Sequence, residues 1–472
     1  MRRCLHGEKQ MISELKKKYI GDAAFYKRYV YLAVPMIIQN AITNFVSLLD
    51  NIMVGQLGTE QMSGVAIVNQ LIFVFNLAIF GVTAAAGIYG SQYFGNGNHK
   101  GHMYSFRFKL YATLLVSILG ILLFVTKGEW LISLYLTDTT GDGATEAALY
   151  YALEYLAIMN VGLIPFGITQ SYATTVKETG QTMVPMLAGM AAVVTNAILD
   201  YLMIFGIGPF PFMGVQGAAL ATVISRFVET GVVVVWAHSH KSGNRYLQGA
   251  YTGFGMPAGT LKAIFIKGFP LMINEVLWAA GMTAVTQCYS IRGLDVVAAA
   301  NIASTIGNLF NTVYIQLGAC IGIVVGCDLG AGKLEKAKDD DNKMIVFSVG
   351  CCVAMAVLMF ILGALFPRIY NTTDEIKAMA TSFISSLALF MPIYSFSHCS
   401  YFTLRSGGKT IVTFLFDSVF TWVVVVPVAF LLTHFTGLGI TTIYFLVQAV
   451  EIIKAVVGYF MVKSNVWLVK MV

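Results

Sequence analysis

Charged side chains are scarce in this sequence. Only 11% of its 472 residues are Asp, Glu, Lys or Arg, against about 25% in soluble globular domains. So few charges cannot clothe a water-facing surface, which excludes a soluble domain of this length. Cysteine is sparse as well. The seven cysteines, at 4, 288, 320, 327, 351, 352 and 399, show no spacing that suggests a metal site or a disulfide framework. No P-loop is present, which argues against ATP coupling within the chain. The ten-residue alternating segments of a membrane β-barrel are missing too. What fills the chain instead is apolar: 57% hydrophobic residues, with a mean hydropathy of +0.73.

The apolar residues fall in long runs such as "LYATLLVSILGILLFV" (110–125), "MIVFSVGCCVAMAVLMFILGALF" (344–366) and "FLFDSVFTWVVVVPVAFLL" (414–432). Runs of this length predict transmembrane helices, the one open-ended structure that satisfies its own backbone in lipid. Twelve spans are expected, near 30–54, 62–89, 105–125, 145–170, 183–206, 215–236, 260–291, 295–327, 344–366, 376–402, 412–433 and 437–461. Of the 30 lysines and arginines, 24 fall in segments on one side of the membrane when the N-terminus is placed inside, and 4 fall on the other. By the positive-inside rule both termini are then cytoplasmic. The net charge of +6 is therefore a topology signal and gives no reason to expect nucleic acid. No short apolar segment with a small-residue cleavage site precedes the first span, so no cleaved signal peptide is expected. The stretch "SELKKKY" reads as a solvated or membrane-surface tail.

The chain also repeats itself. A shift of 235 residues lays "GFPLMINEVLW" (268–278) over "AVPMIIQNAIT" (33–43) and brings Pro270 onto Pro35. The same shift carries Gly58, Gly87, Gly95 and Gly97 onto Gly293, Gly322, Gly330 and Gly332. Further on, a shift of 227 places Pro392 on Pro165 and Gly407 on Gly180. The expected organisation is all-α, with twelve transmembrane helices in two six-helix lobes around a central cavity. The boundaries are a tail at 1–28, an N-lobe at 29–238, a linker at 239–259, a C-lobe at 260–463 and a second tail at 464–472. Both lobes start and end inside, so the repeat is parallel. Paired repeats of this kind are a hallmark of transporters that rock between inward and outward openings.

Several stretches resemble the multidrug and toxic compound extrusion (MATE) family: "P…LLDNIMVGQLG" at 35–58, "GIYGSQYFGNGN" at 87–98, "TNAILDYLMIFGIG" at 195–208 and "GVQGAALATVIS" at 214–225. The "GAGK" turn of the second half and the "LRSGG" turn after the tenth span fit the same pattern. The resemblance covers nearly the whole chain. It implies a secondary transporter of the cell membrane, not an enzyme. Such a transporter exports organic cations or amphipathic drugs against inward flow of protons or sodium. It needs no cofactor, works as a monomer among membrane lipids and has no nucleic-acid partner.

Polar residues inside the spans are costly and mark function. Asp50 lies about a turn before the outer end of the first span, and Asp200 about six residues before the outer end of the fifth. Asn196 precedes Asp200 by four positions and shares its helix face. Thr222 lies about two turns into the sixth span. Two carboxylates, an amide and a hydroxyl thus reach a similar depth. Such oxygens suit sodium, and paired carboxylates equally suit a proton. The family resemblance implies a coupling-cation site on the same four residues. Glu275, midway along the seventh span, is a candidate anchor for a cationic substrate or a second proton site. Gln39, Asn274 and Trp278 join it as cavity candidates on the first and seventh helices. Where some family members carry an aspartate two residues after the tenth-span proline, this chain has Tyr394, with His398 one turn later; the residues leave open which of them stands in for that acid. The pairs Arg226/Glu229 and Glu451/Lys454 are each spaced i, i+3 and are expected to form local ion pairs.

Two other readings compete. A flippase for a lipid-linked saccharide or cell-envelope precursor would need arginines to hold phosphates, but beyond the lysines and arginines already counted to the two sides the spans hold only Arg226 and Lys454. An integral membrane enzyme would need a catalytic loop or a cluster of acids and histidines, and the loops are short.

Overall fold

The computed structural model describes residues 18–136, 144–253 and 255–472. Most of the tail expected at 1–28 lies outside the described residues. Among the described residues, twelve helices are long and apolar enough to cross a membrane. In chain order these are α1 (Ala23–Gly55), α2 (Thr59–Gly95), α3 (His99–Ser133), α4 (Thr145–Glu178), α5 (Met183–Phe205), α6 (Gly214–Ser239), α7 (Ala258–Ser290), α8 (Leu294–Gly330), α9 (Leu334–Ile369), α10 (Asp374–Ser406), α11 (Thr410–Phe435) and α12 (Ile440–Lys463). Many run past the expected spans. The 37 residues of α2 or α8 exceed the roughly 20 that a hydrocarbon core requires, so these helices tilt or project into water.

The helix ends follow local chemistry. Asn98 caps α3 by accepting a hydrogen bond from the Gly101 amide at 2.8 Å, and Thr373 caps α10 through Ile376. The glycines of the repeat adopt matching conformations. Gly97 and Gly332 have φ of 71° and 73°, a left-handed geometry that favours glycine. At the later turn the register differs from the sequence alignment. Gly408, with φ of 70°, is the counterpart of Gly180 at 82°, whereas Gly407 lies at −83°. One extra residue therefore separates Pro392 from this turn.

The chain forms two compact units. One contains Ile38–Gly90 and Asn98–Gly268. In it α5 packs along α6, and α3 and α6 pack on α4. Its buried centre joins Val68, Ile72, Ile79, Leu163 and Ala219. At the end of α4 the buried Glu178 accepts from Lys109 of α3 and lies 3.2 Å from His102. Its carboxylate fits against Gly90 of α2, where a Cβ would clash. The stretch after α6 is held by Arg107, which donates to the carbonyls of Ala250 and Gly255 at 2.8 Å and also to that of Gly249.

The other unit contains the described residues up to Ile37, the segment Ser91–Gly97 and Phe269–Val472. Here α10 is central, packed by α8, α9 and α12. Tyr29 of α1 donates to the Leu317 carbonyl at 3.0 Å and meets Ser348 at 3.0 Å. The ends of α2 and α8 cross so closely that a Cβ on Gly95 would strike the Cys327 carbonyl, and one on Gly330 would strike that of Gln92. The contact is reciprocal under the 235-residue shift, because Gln92 maps onto Cys327 and Gly95 onto Gly330.

Among the helices that depart from regular geometry, two do so beside residues discussed below. A 3-10 turn at Asn160–Gly162 interrupts α4 just before Pro165. Two π turns, Leu415–Val419 and Thr421–Val425, interrupt α11. Such bulges free backbone groups and frequently accompany sites.

Candidate functional site

Within the first unit, Asp50, Asn196, Asp200 and Thr222 come together as the spacing predicts. The Asp50 and Asp200 carboxyl groups face each other. Asp200 is 1% exposed and Asn196 4%. The Asn196 amide donates to the Thr222 hydroxyl at 3.4 Å, and that hydroxyl donates to the Ala218 carbonyl at 3.0 Å. Helix spacing explains the grouping: Asn196 and Asp200 are one turn apart on α5, and Thr222 meets them from the adjoining face of α6.

The electrostatics are unusual for a resting core. Asp50 Oδ1 and both oxygens of Asp200 have no hydrogen-bond donor among the described residues. A buried carboxylate without donors costs several kcal/mol, and a second one facing it adds repulsion. A single cation shared between them removes both penalties. The arrangement can therefore take up one proton or one small hard cation bound through oxygen.

One residue of this region carries no warning in the sequence, and another takes a partner that its spacing did not predict. Tyr155 of α4 is 5% exposed, faces both carboxyl groups and lies beside the Thr222 hydroxyl. Arg226 donates to the Gly162 carbonyl at 3.1 Å and lies 5.2 Å above the Phe166 ring. It serves the carbonyl at the 3-10 turn of α4, and among the described residues it makes no contact with Glu229 within 4 Å, although the two charges lie near enough to attract. The expected Arg226/Glu229 pair is thus replaced by a backbone contact. Gln39, also in this unit, packs where Gly189 leaves room on α5.

The remaining candidates lie in the second unit. Glu275 is half-buried on α7, and Trp278, one turn on, is 37% exposed. Asn274 is buried and fully engaged: it donates to Asp417 at 3.0 Å and accepts from the Ser418 hydroxyl at 2.8 Å. Tyr394 donates to Gln448 of α12. His398 is tied through Nδ1 to the Tyr394 carbonyl at 3.0 Å. Lys454 approaches Glu451 at 3.8 Å, as its spacing predicts, but its main partner is Asp417 of α11 at 2.7 Å. Asp417, an acid inside an apolar run like Asp50, was passed over in the sequence, and its partner lies 37 residues away.

Comparison with known proteins follows the same lines. The family model described as MatE matches residues 35–202 and 270–431. A Thermotoga maritima protein named "Probable multidrug resistance protein NorM" is 24% identical over 418 residues, covering 88% of this chain and 87% of its own. Its Deinococcus radiodurans namesake is 25% identical over 434 residues, with coverages of 90% and 92%. An outward-facing multidrug resistance MATE transporter of the MOP superfamily superimposes with a TM-score of 0.83 at 20% identity, over 94% of this chain and 96% of the other. A MOP superfamily transporter from Pyrococcus furiosus, described as having a binding pocket of reverse polarity, gives 0.84 at 19% identity with the same coverages.

Proposed function

Because the chain belongs to the MatE family and is a multi-pass membrane transporter and not an enzyme, we propose that it is a secondary active multidrug exporter driven by inward flow of H+ or Na+. The observation that carries this reading is the Asp50–Asp200 pair, with its donorless oxygens bracketed by Asn196 and Thr222. A transporter needs a site whose occupancy changes the relative stability of its conformations, since a ligand shifts an equilibrium only by its differential affinity. A pair of buried carboxylates is such a device: empty, it repels itself; loaded, it is neutralised.

In this reading the cation binds at Asp50, Asn196, Asp200 and Thr222. Glu275 attracts the positive charge of the substrate, with Gln39, Asn274, Trp278 and Tyr394 as further contacts. The substrate is an organic cation or amphipathic drug, carried by alternating access. Both termini lie in the cytoplasm, consistent with the lysine and arginine distribution. The N-lobe (29–238), linker (239–259) and C-lobe (260–463) serve as its working parts, and the monomer is the transporting unit. The flippase reading lacks its arginines and gains nothing from the packing of Arg226 against a carbonyl.

The test uses purified protein in proteoliposomes with a cationic dye as substrate. A pH gradient and a sodium gradient are imposed separately, each with the membrane potential clamped at zero. Uphill dye movement under one of them identifies the coupling ion. Dye movement that ignores both gradients overturns the proposal.

A further inference from the structure

The turn between α9 and α10 gathers charge where charge is scarce. In the topology proposed above, four lysines and arginines fall on the outer side, and two of them, Arg368 and Lys377, line one cleft of about 640 Å³. Of the other two, Arg292 is spent on the carbonyls of Thr433, Leu432 and Thr436 at 2.8, 3.3 and 2.6 Å. The Arg368 guanidinium, by contrast, makes no hydrogen bond or ion pair among the described residues. The Lys377 ammonium lies 3.5 Å from Asp374, which also lines the cleft and whose side chain is fully exposed. An exposed pair at that distance holds its partners weakly, so both cations are available to a ligand.

A second hollow, of about 420 Å³, lies further along the same two helices and is walled by Phe360 of α9, Leu389 of α10 and Phe445 of α12. Helix periodicity joins the two hollows into one strip. Val357, Ile361, Ala364 and Arg368 follow one another on a single face of α9. Lys377, Thr381, Ser385 and Leu389 do the same on α10. The serine hydroxyls of the strip are spent inside their own helix: Ser385 donates to the Thr381 carbonyl at 2.8 Å and Ser386 to that of Ser382 at 3.0 Å. The deep part therefore offers apolar surface alone. Its length identifies the ligand class. Lys377 and Leu389 are twelve residues apart, which at about 1.5 Å of rise per residue spans roughly 18 Å. One leaflet, half of a hydrocarbon core of about 30 Å, is roughly 15 Å deep. Cations at the water end of an apolar strip one leaflet long match a phospholipid, phosphate outermost and acyl chain below. A second copy of the chain packed here would leave the cations without a counter-charge. Asp374 narrows the class: a carboxylate beside two cations complements a headgroup that carries an amine next to its phosphate.

We infer that the α9–α10 hairpin binds one ethanolamine phospholipid of the outer leaflet, with its phosphate on Arg368 and Lys377, its ammonium on Asp374 and one acyl chain along Phe360, Leu389 and Phe445. The leaflet rests on the proposed topology; the site does not, and it is separate from the Asp50–Asp200 pair. Full-length protein in phosphatidylglycerol vesicles would be doped with a trace of phosphatidylethanolamine or phosphatidylglycerol carrying a diazirine near one chain end. Adducts formed on photolysis would be mapped by peptide mass spectrometry. The expected result is labelling concentrated at residues 356–361, 385–389 and 445, about fivefold higher with the ethanolamine probe, the factor that one partly exposed ion pair supplies. Arg368→Gln/Lys377→Gln should cut this labelling about tenfold and leave adducts at the exposed Leu115 and Leu122 of α3 unchanged. Asp374→Asn should erase the preference between probes. Adducts spread evenly over the lipid-facing helices, labelling indifferent to Arg368→Gln/Lys377→Gln, or equal labelling of the unaltered protein by the two probes would each overturn the inference. So would a dimer in native mass spectra whose groove takes up neither probe, because that would assign the face to a second copy of the chain.

Discussion

Replacing Asp50 and Asp200 by asparagine tests the coupling site quantitatively. Under the proposed coupling the pair takes one monovalent cation, and each turnover moves at least one coupling ion inward. In one-for-one exchange with a singly charged substrate, a tenfold ion gradient is worth about 1.4 kcal/mol and sustains a tenfold substrate ratio at zero membrane potential. Asp50→Asn or Asp200→Asn removes the charge that makes loading favourable, and the steady-state ratio should relax from at least tenfold to one. The fold should survive. The facing amides can bond each other, and the substitutions relieve a repulsion between donorless oxygens. Since both acids belong to one site, the double variant should be no worse than either single variant. The assay is steady-state accumulation of a labelled cation in proteoliposomes, with thermal unfolding run alongside to verify integrity. A well-folded double variant that still holds a tenfold ratio would refute the reasoning. So would single variants whose effects multiply, because that would place the two acids in independent steps.

Three further outcomes are expected. Glu275→Gln should weaken apparent affinity for organic cations about tenfold or more, because a charge attraction in a low-dielectric setting is lost, and should spare neutral substrates; equal loss for all substrates in a competition assay would contradict the anchoring role. Lys109→Met should destabilise the protein by about 3–5 kcal/mol, because the buried Glu178 carboxylate loses its fully buried partner. Adding Glu178→Gln should recover much of that loss, and thermal unfolding in detergent showing no recovery would rule out the ion pair as the cause. In a cysteine-free background, Thr372→Cys should react with an impermeant thiol reagent added outside intact cells and Asn98→Cys should not; the opposite pattern would invert the topology.

The fold and the N-half site were legible because both depend on short-range rules. Apolar run length sets the helices, and the four-residue spacing of Asn196 and Asp200 sets a shared face. Counting from the outer ends placed Asp50 and Thr222 at the same depth. The C-half cluster was not legible. The i, i+3 pattern of Glu451 and Lys454 suggested a local pair, yet Lys454 turns to Asp417, and the π turns that present Asp417 have no local signature. Arg226 shows the same limit. Its spacing to Glu229 is right for pairing, but the Gly162 carbonyl at the kink of α4 offers a partner that only tertiary packing brings near. Tyr155 was missed for a simpler reason: a tyrosine in an apolar helix gives no sign of which way it faces.

The clasp at the C-terminal end of α2 also bears on how the molecule is made. Gln92 donates to the carbonyls of Ser406 and Val469 at 3.0 and 3.3 Å, and accepts from the Met471 amide at 2.8 Å. That last partner is 379 residues downstream. At ribosomal speeds of about 5–20 residues per second, synthesis of the intervening chain takes roughly 20–80 s. Throughout that interval a side chain destined for complete burial waits for the bonds that will hold it. The reciprocal glycine crossing beside it cannot close either before residue 330 has emerged. The growing chain must therefore settle its early helices in the membrane before this clasp is fastened, so a close-packed seam of the finished protein is among the last to form.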